Sequence, residues 1–510
     1  MPAQNGNSPA GITGYGAYIP RLRMSRKAVT DANAWYAPGL AGKAKGTRSL
    51  ANWDEDSITM AVAAARDCLG TSEDRSHVTG LYLASCTLPF AERLNAAVVC
   101  EALTLQEGVE ALDIGGSLRA GLSAIPQALA RVSGGAGDAL VVAADARKTL
   151  AASSQELDYG DGAAALLFGR SNVIAEYLGG HAITVDFVDH FRAAGEDTDY
   201  HWEERWVRDE GISKIAPRVI AAALDAAGLE AAQVDHFVFP STFAKMDGQL
   251  AKKCGIKTEA VADAFAATVG DTGTPHAMLM LARVLQGAAP GKVIVVAQFG
   301  SGAQALVFRT TDAIASFKPA RGVAQWLARG VEETSYTRFL SFKDQLMLER
   351  GMRGEQDRKT ALSTAYRHKS AILGLVAGRC EVSGSVHFPP SRISYDQGKP
   401  LQDTQRPYKL AERRGTVLSW SAETLSFHRS PPHTYGQVDF EGGGRILMEF
   451  TDVAKGDIES GTELDFVFRI KDIDDRRSFT RYFWKGTPVR DTSSTSADST
   501  ASASTMTSKE

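Results

Sequence analysis

Two glycine-rich nonapeptides set 140 residues apart constrain this chain more than any other feature. Gly160-Asp-Gly-Ala-Ala-Ala-Leu-Leu-Phe168 and Gly300-Ser-Gly-Ala-Gln-Ala-Leu-Val-Phe308 agree at six of nine positions. Each follows an apolar run of the same character, Asp138–Asp145 and Gly291–Gln298. The spacing is far too long for a solenoid period, so it predicts two duplicated halves packed together. Their class is α/β. Helix-like stretches at Ser57–Leu69, Glu92–Leu103, Arg119–Val132, Ala216–Ala227 and Pro275–Gln286 alternate with apolar runs. The runs are Leu81–Cys86, Ala139–Ala144, Ala163–Phe168, His236–Phe239 and Val293–Ala297. They are nearly continuous rather than alternating, which is how strands buried on both faces read, and helices must then cover both sides of the sheet.

The chain is 510 residues long, enough for about three structural units. With 44% hydrophobic and 23% charged residues it is not disordered as a whole, and a net charge of −4 gives no electrostatic reason to expect nucleic acid or a membrane as partner. Five cysteines (Cys68, Cys86, Cys100, Cys254 and Cys380) with no CxxC do not make a disulfide scaffold. No apolar run approaches a spanning helix, and residues 1–14 do not read as a secretory signal, so a cytoplasmic location is expected.

After Thr310 the texture changes. Arg321 to Gly374 reads as charged and helical. Short alternating runs follow at Thr416–Phe427, Gly436–Phe440, Arg445–Phe450, Glu463–Ile470 and Phe479–Trp484, with a turn at Gly442–Gly444. They predict a small antiparallel β domain, a barrel. Asp491–Ser508 holds twelve Ser or Thr in eighteen residues and is expected to be disordered.

Gly14-Tyr-Gly-Ala-Tyr-Ile-Pro20, Asp54–Met60, Asp113–Gly121, Tyr159-Gly-Asp-Gly162 and Phe299-Gly-Ser-Gly302 occur in an order that resembles the thiolase superfamily, nearest its 3-hydroxy-3-methylglutaryl-CoA synthase branch. Gly378-Arg-Cys-Glu-Val-Ser-Gly-Ser-Val-His-Phe-Pro-Pro390 resembles the OB-fold domain that accompanies acyl-CoA enzymes of this kind, here fused. The implied architecture is a thiolase-like amino-terminal half (11–175), a thiolase-like carboxyl-terminal half (176–312), a helical linker (313–374), an OB-fold domain (375–489) and a disordered tail (490–510). The resemblance also implies a homodimer, a CoA thioester as substrate and no tightly bound cofactor.

It further implies a catalytic cysteine at the amino end of a buried central helix, where the dipole favours the thiolate. That slot falls on Leu118, between Ser117 and Arg119. The branch's acid/base Glu matches Cys86, and its His matches Pro240. Asp271 takes the place of an enolate-stabilising Asn, and His276 begins the next helix, where a neutral imidazole is favoured. The expected replacement trio is therefore Cys86, Asp271 and His276. Each also has a plain structural alternative: Cys86 as a small buried hydrophobe, Asp271 as a helix cap, His276 as a capping side chain. Gly300 and Gly302 are expected to allow close backbone approach. The connector from Asp189 to Trp206, with two Trp and one Tyr, reads either as a cover lining an acyl pocket or as an anchored insertion.

OB domains of this kind usually open with a four-cysteine zinc ribbon. Here Cys380 survives, while Ser383, Ser394 and Gln397 replace the other thiols and His387 is alone nearby, so no structural zinc is expected. The function implied is an acyltransferase on acyl-CoA or β-keto thioesters that makes or breaks a carbon–carbon bond, Claisen or retro-Claisen, without the usual acyl-cysteine. The alternatives are a retro-aldol lyase on β-hydroxyacyl-CoA and a non-catalytic scaffold subunit.

Overall fold

The structure is a computed structural model and describes residues 9–351, 360–396, 398–474 and 476–490. The expected disordered tail lies outside the described residues from 491 onward. Nine strands form one sheet: β1 (Gly11–Tyr18), β2 (Val78–Ala84), β3 (Glu110–Ile114), β4 (Asp138–Asp145), β5 (Gly162–Gly169), β6 (Ala175–Thr184), β7 (His236–Val238), β8 (Val293–Phe299) and β9 (Gly302–Thr310). Their order is β7-β8-β9-β6-β1-β5-β4-β2-β3.

The duplication is visible in this order. β2 runs parallel to β4, which pairs antiparallel with β5; β7 runs parallel to β8, which pairs antiparallel with β9. The two halves meet where Gly11 and Ile12 of β1 pair with Glu176 and Ala175 of β6. β5 and β8 are buried along their whole length, which accounts for their unbroken apolar sequences.

Seven helices matter below: α1 (Ser57–Leu69), α2 (Asn95–Ala102), α3 (Ala120–Ser133), α4 (Ser213–Ala227), α5 (His276–Gly287), α6 (Leu362–Arg367) and α7 (Lys369–Gly374). α3 and α5 share a central core, with Ile125, Leu129, Met278 and Leu281 packed on Val141, Ala143, Ile294 and Val296. α1 covers the outer face of the first half through Ile58 and Val62, and α4 that of the second through Val219 and Ile220. Helices therefore lie on both sides of each half-sheet, as the continuous apolar strands require.

The repeated glycines have a physical reason. A Cβ on Gly160 would lie 2.0 Å from the Val269 carbonyl, on the approach to α5; a Cβ on Gly300 would lie 2.7 Å from Ser117 Oγ, on the approach to α3. Each half thus presses a side-chain-free turn against the segment leading into the other half's central helix.

The carboxyl-terminal unit contains β10 (Gly415–Glu423), β11 (His433–Phe440), β12 (Arg445–Glu449), β13 (Glu463–Asp474) and β14 (Phe479–Pro488), antiparallel in the order β12-β11-β10-β13-β14. A bridge between Phe450 and Gly486 draws the outer strands together. Phe466, Phe468 and Trp484 join the same apolar core as α1. Between Thr310 and this unit the chain is not only helical: Val331–Glu333 adds a strand beside Leu22–Ser25.

Candidate functional site

The carboxyl ends of β2 and β4 lie side by side, the position where parallel α/β sheets gather ligand-binding groups. Asp145, the last residue of β4, is fully buried. It accepts hydrogen bonds from Ser85 Oγ (2.9 Å), Cys86 N (2.8 Å), Thr87 Oγ1 (3.0 Å) and Thr274 N (2.8 Å). Four donors compensate the buried charge and tie the Cys86 loop to the loop before α5.

Cys86 lies just beyond β2, and its sulfur accepts from Thr274 Oγ1 at 3.5 Å. Burial, reinforced by Asp145, pushes its thiol up to about 11. It is therefore protonated at neutral pH and a poor nucleophile.

Arg147, two residues beyond β4, is the buried cation of the site. Its guanidinium lies 3.5 Å from the centre of the Tyr159 ring, donates to the Asp271 carbonyl at 2.9 Å and pairs with Asp271 Oδ1 at 3.4 Å. Burial disfavours the charge, but Tyr159, Asp271, Asp199 and Asp145 outweigh it and hold the group above its ordinary value. Asp271 also accepts from Gly273 N at 2.8 Å. Burial opposes its ionisation, yet Arg147 and the Gly273 N–H together hold its carboxyl below the usual value.

His276 starts α5 fully enclosed. Its Nδ1 accepts from Thr272 N at 3.1 Å and its Nε2 donates to the Ala264 carbonyl at 3.0 Å. Burial keeps the ring below the ordinary imidazole value, hence neutral. Both nitrogens are occupied in holding the loop that carries Asp271 and Thr274.

At the entrance to α3, Leu118 is half-buried. Ser117 Oγ donates to the Gly300 carbonyl at 3.0 Å and accepts from Arg119 N at 3.3 Å, while Arg119 Nε donates to the same carbonyl at 2.9 Å. Neither a thiol nor a base-activated hydroxyl stands there. Gly121 in the first turn of α3 approaches Thr274 so closely that a Cβ would lie 2.9 Å from its carbonyl. Through Thr274 the helix entrance adjoins Cys86.

The connector folds over this cluster as a short hairpin, His190–Phe191 paired with Tyr200–His201. Its polar residues turn inward. Arg192 donates to the Cys86 carbonyl and pairs with Asp199 at 3.4 Å, and Tyr159 hydrogen-bonds His201 Nε2. Burial, with His190 and Arg147 adding to it, pushes His201 down to about 4. The aromatics do not line a pocket: Phe191, Tyr200 and Trp202 are exposed, and Trp206 stacks on Phe187. Of the two readings of this connector, the exposure of these rings speaks against the lining of an acyl pocket. An apolar ring loses less by facing water than a charged group loses by being buried unpaired, and here the charged groups have partners inside.

The structure thus brings Cys86 and Asp271 into one connected cluster, with His276 behind them. Pro240, beyond β7, supplies no proton-transfer group. The residues overlooked in the sequence are Asp145, Arg147, Tyr159, Asp199 and His201. The available signal was an acidic residue closing an otherwise apolar strand, Asp145, with Arg147 two residues on.

In the segment around Cys380, the Cys380 Sγ lies 3.1 Å from Thr404 Oγ1, Ser394 Oγ accepts from Gln405 Nε2 at 2.8 Å, and His387 Nε2 is 2.9 Å from Ser385 Oγ. Gln397 lies outside the described residues. Among the described residues no group of three or more His, Cys, Asp or Glu is arranged to hold a metal ion, and no helix is long and apolar enough to cross a membrane.

No family model matches the chain. Hydroxymethylglutaryl-CoA synthase from Methanocaldococcus jannaschii is 28% identical over 350 residues, 66% of this chain and all of that protein. Among solved structures, MvaS in complex with 3-hydroxy-3-methylglutaryl coenzyme A matches with a TM-score of 0.56 and 19% identity, over 66% of this chain and 92% of the other. HMG-CoA synthase complexed with CoA matches with a TM-score of 0.56 and 16% identity, over 79% of this chain and all of the other. The amino-terminal two-thirds of the chain has the α/β thiolase-like fold and is a distant homologue of the hydroxymethylglutaryl-CoA synthases.

Proposed function

We propose that this protein is an acyl-CoA-dependent transferase that makes or breaks a carbon–carbon bond next to a thioester carbonyl, and that it works without an acylated cysteine. The observation that carries the reading is the entrance to α3. Leu118 offers no nucleophile, and the Ser117 hydroxyl is engaged as donor to Gly300 and as acceptor from Arg119, beside a buried cluster of opposite charges.

In this reading Asp271 is the base. It is ionised at neutral pH and removes a proton from the carbon next to the thioester carbonyl. Arg147, permanently charged and screened from water, supplies the positive field that the resulting enolate needs. Cys86 keeps its proton and acts as a weak donor, not as an acyl carrier. His276, with both nitrogens bonded to backbone, is a positioning residue for the Asp271 loop. In the retro-Claisen direction the thiol of free CoA gives its proton to Asp271 and its sulfur adds to the β-keto carbonyl; the bond from that carbonyl to the α-carbon then breaks, one fragment leaves as its CoA thioester, and the enolate of the other takes the proton back from Asp271. We read the carboxyl-terminal unit as an OB-type barrel; the curl of its sheet towards Gly486 supports this.

Incubation with acetoacetyl-CoA and free CoA tests the proposal. The expected result is CoA-dependent loss of the β-keto thioester, with acetyl-CoA as product. Cleavage of a β-hydroxyacyl-CoA without added CoA would favour the retro-aldol reading. No change in any thioester would favour a scaffold.

A further inference from the structure

A further cavity lies elsewhere in the structure. It measures about 1040 Å³ and lies between α2, the α6–α7 pair and the carboxyl-terminal sheet. Leu94, Ala97 and Val98 form one wall, Ile372 and Leu373 a second, and Met448, Phe479 and Phe483 line the sheet side. A volume of this size, walled mainly by apolar side chains, is that of a small-molecule site.

One arginine in its lining has an unspent donor. Arg93 stacks on Phe90 and Phe479, with its guanidinium carbon 4.5 and 5.0 Å from the ring centres, and its buried Nη1 has no hydrogen-bond partner. Arg93 is in no ion pair among the described residues. The other cations of the lining are engaged by carboxylates: Arg481 by Asp472, with Nε and Nη2 each 2.8 Å from Oδ1, Lys369 by Glu101, and Lys471 and Lys485 by Glu449. A buried N–H without an acceptor is costly, and one facing an apolar cavity asks for an oxygen acceptor from outside the chain.

We infer that this cavity binds an amphipathic carboxylate, with its apolar tail against the Leu94–Val98 and Phe479–Phe483 walls and its head group on Arg93. Guanidinium suits this role because its planar fork matches a carboxylate. The site is separate from the Cys86–Asp271 cluster and does not depend on the reaction proposed for it.

Calorimetric titration of the full chain with dodecanoate tests the inference, with dodecyltrimethylammonium as the probe of equal tail and opposite charge. Dodecanoate is expected to bind at one site and the cationic probe at least ~10-fold more weakly, as a charge-assisted head-group contact requires. Arg93→Gln is expected to weaken dodecanoate ~10-fold or more, with thermal unfolding of the variant checked in parallel. Ala97→Trp, which fills the cavity from α2, is expected to abolish binding while leaving Arg93 in place. Equal binding of both probes, or dodecanoate binding unchanged in Arg93→Gln and in Ala97→Trp, would overturn the assignment.

Discussion

Replacing Asp271 by Asn is expected to lower kcat/KM for thioester cleavage ~10²–10⁴-fold, the range for loss of a general base. At 1.36 kcal/mol per tenfold this is about 3–5 kcal/mol of transition-state stabilisation. The substitution is conservative in shape. Asn retains an oxygen to accept from the Gly273 N–H, and Arg147 keeps the Tyr159 ring beneath it. What disappears is the negative charge and the proton affinity. Because the Asp271 carboxyl is held below its usual value, the wild-type rate should stay on its plateau down through pH 5 and fall only below ~4. That acid limb should be absent from the residual activity of Asp271→Asn. A loss smaller than about fivefold, with folding intact, would remove Asp271 from proton transfer.

Replacing Arg469 by Leu is expected to cost about 3–5 kcal/mol of stability, because it strips one partner from a buried ion cluster. Arg469 is almost wholly enclosed at the seam between the thiolase-like body and the carboxyl-terminal sheet. It pairs with Glu55, lies 2.7 Å from Asp452 and 3.8 Å from Asp54, and donates to the Tyr18 hydroxyl at 3.2 Å. Without it three acidic side chains face one another, with Lys485, 3.0 Å from Asp54, and Arg21 and Arg490, beside Asp452, as cations near them. Urea unfolding at unchanged slope is the direct readout.

The pH dependence has a definite sign. Burial raises the Glu55 carboxyl above its ordinary value even with Arg469 present. The folded state then binds a proton that the unfolded chain has released, so stability from this group falls as pH rises from the ordinary carboxylate value to the raised one. Removing Arg469 raises Glu55 further and extends that window upward, so the variant should lose more at pH 8 than at pH 5. A loss below 1 kcal/mol at both values would mean that the seam does not depend on this cluster.

The fold was legible where its signals are local. Continuous apolar runs announced β4, β5 and β8, because strands covered on both faces need no polar alternation. The duplicated glycines announced the pairing of halves, because only a missing side chain lets Gly160 and Gly300 approach the opposite segment. β3 was missed: it is an edge strand of five residues in which Glu110 and Asp113 place a charge on each face and break the apolar run.

The site was legible in its losses more than in its gains. Leu118 and Pro240, at the positions that the resemblance assigns to a catalytic Cys and a His, carry no such group. Arg147 was hidden because its partners Tyr159, Asp199 and Asp271 are distant in sequence and meet only after the connector folds back. His276 looked like a free base at a helix start; its bonds to Thr272 N and the Ala264 carbonyl arise from a tight loop that no spacing rule reveals.

The central claim is that turnover proceeds without acylating the chain. Intact-protein mass spectrometry after incubation with acetyl-CoA and acetoacetyl-CoA, under conditions where product forms, tests it most directly. The unmodified mass should persist throughout, whereas a Leu118→Cys variant, with a thiol restored at the entrance to α3, should gain one acetyl group. An acetyl adduct on the unmutated protein, whether located at Ser117 or at Cys86, would contradict the account.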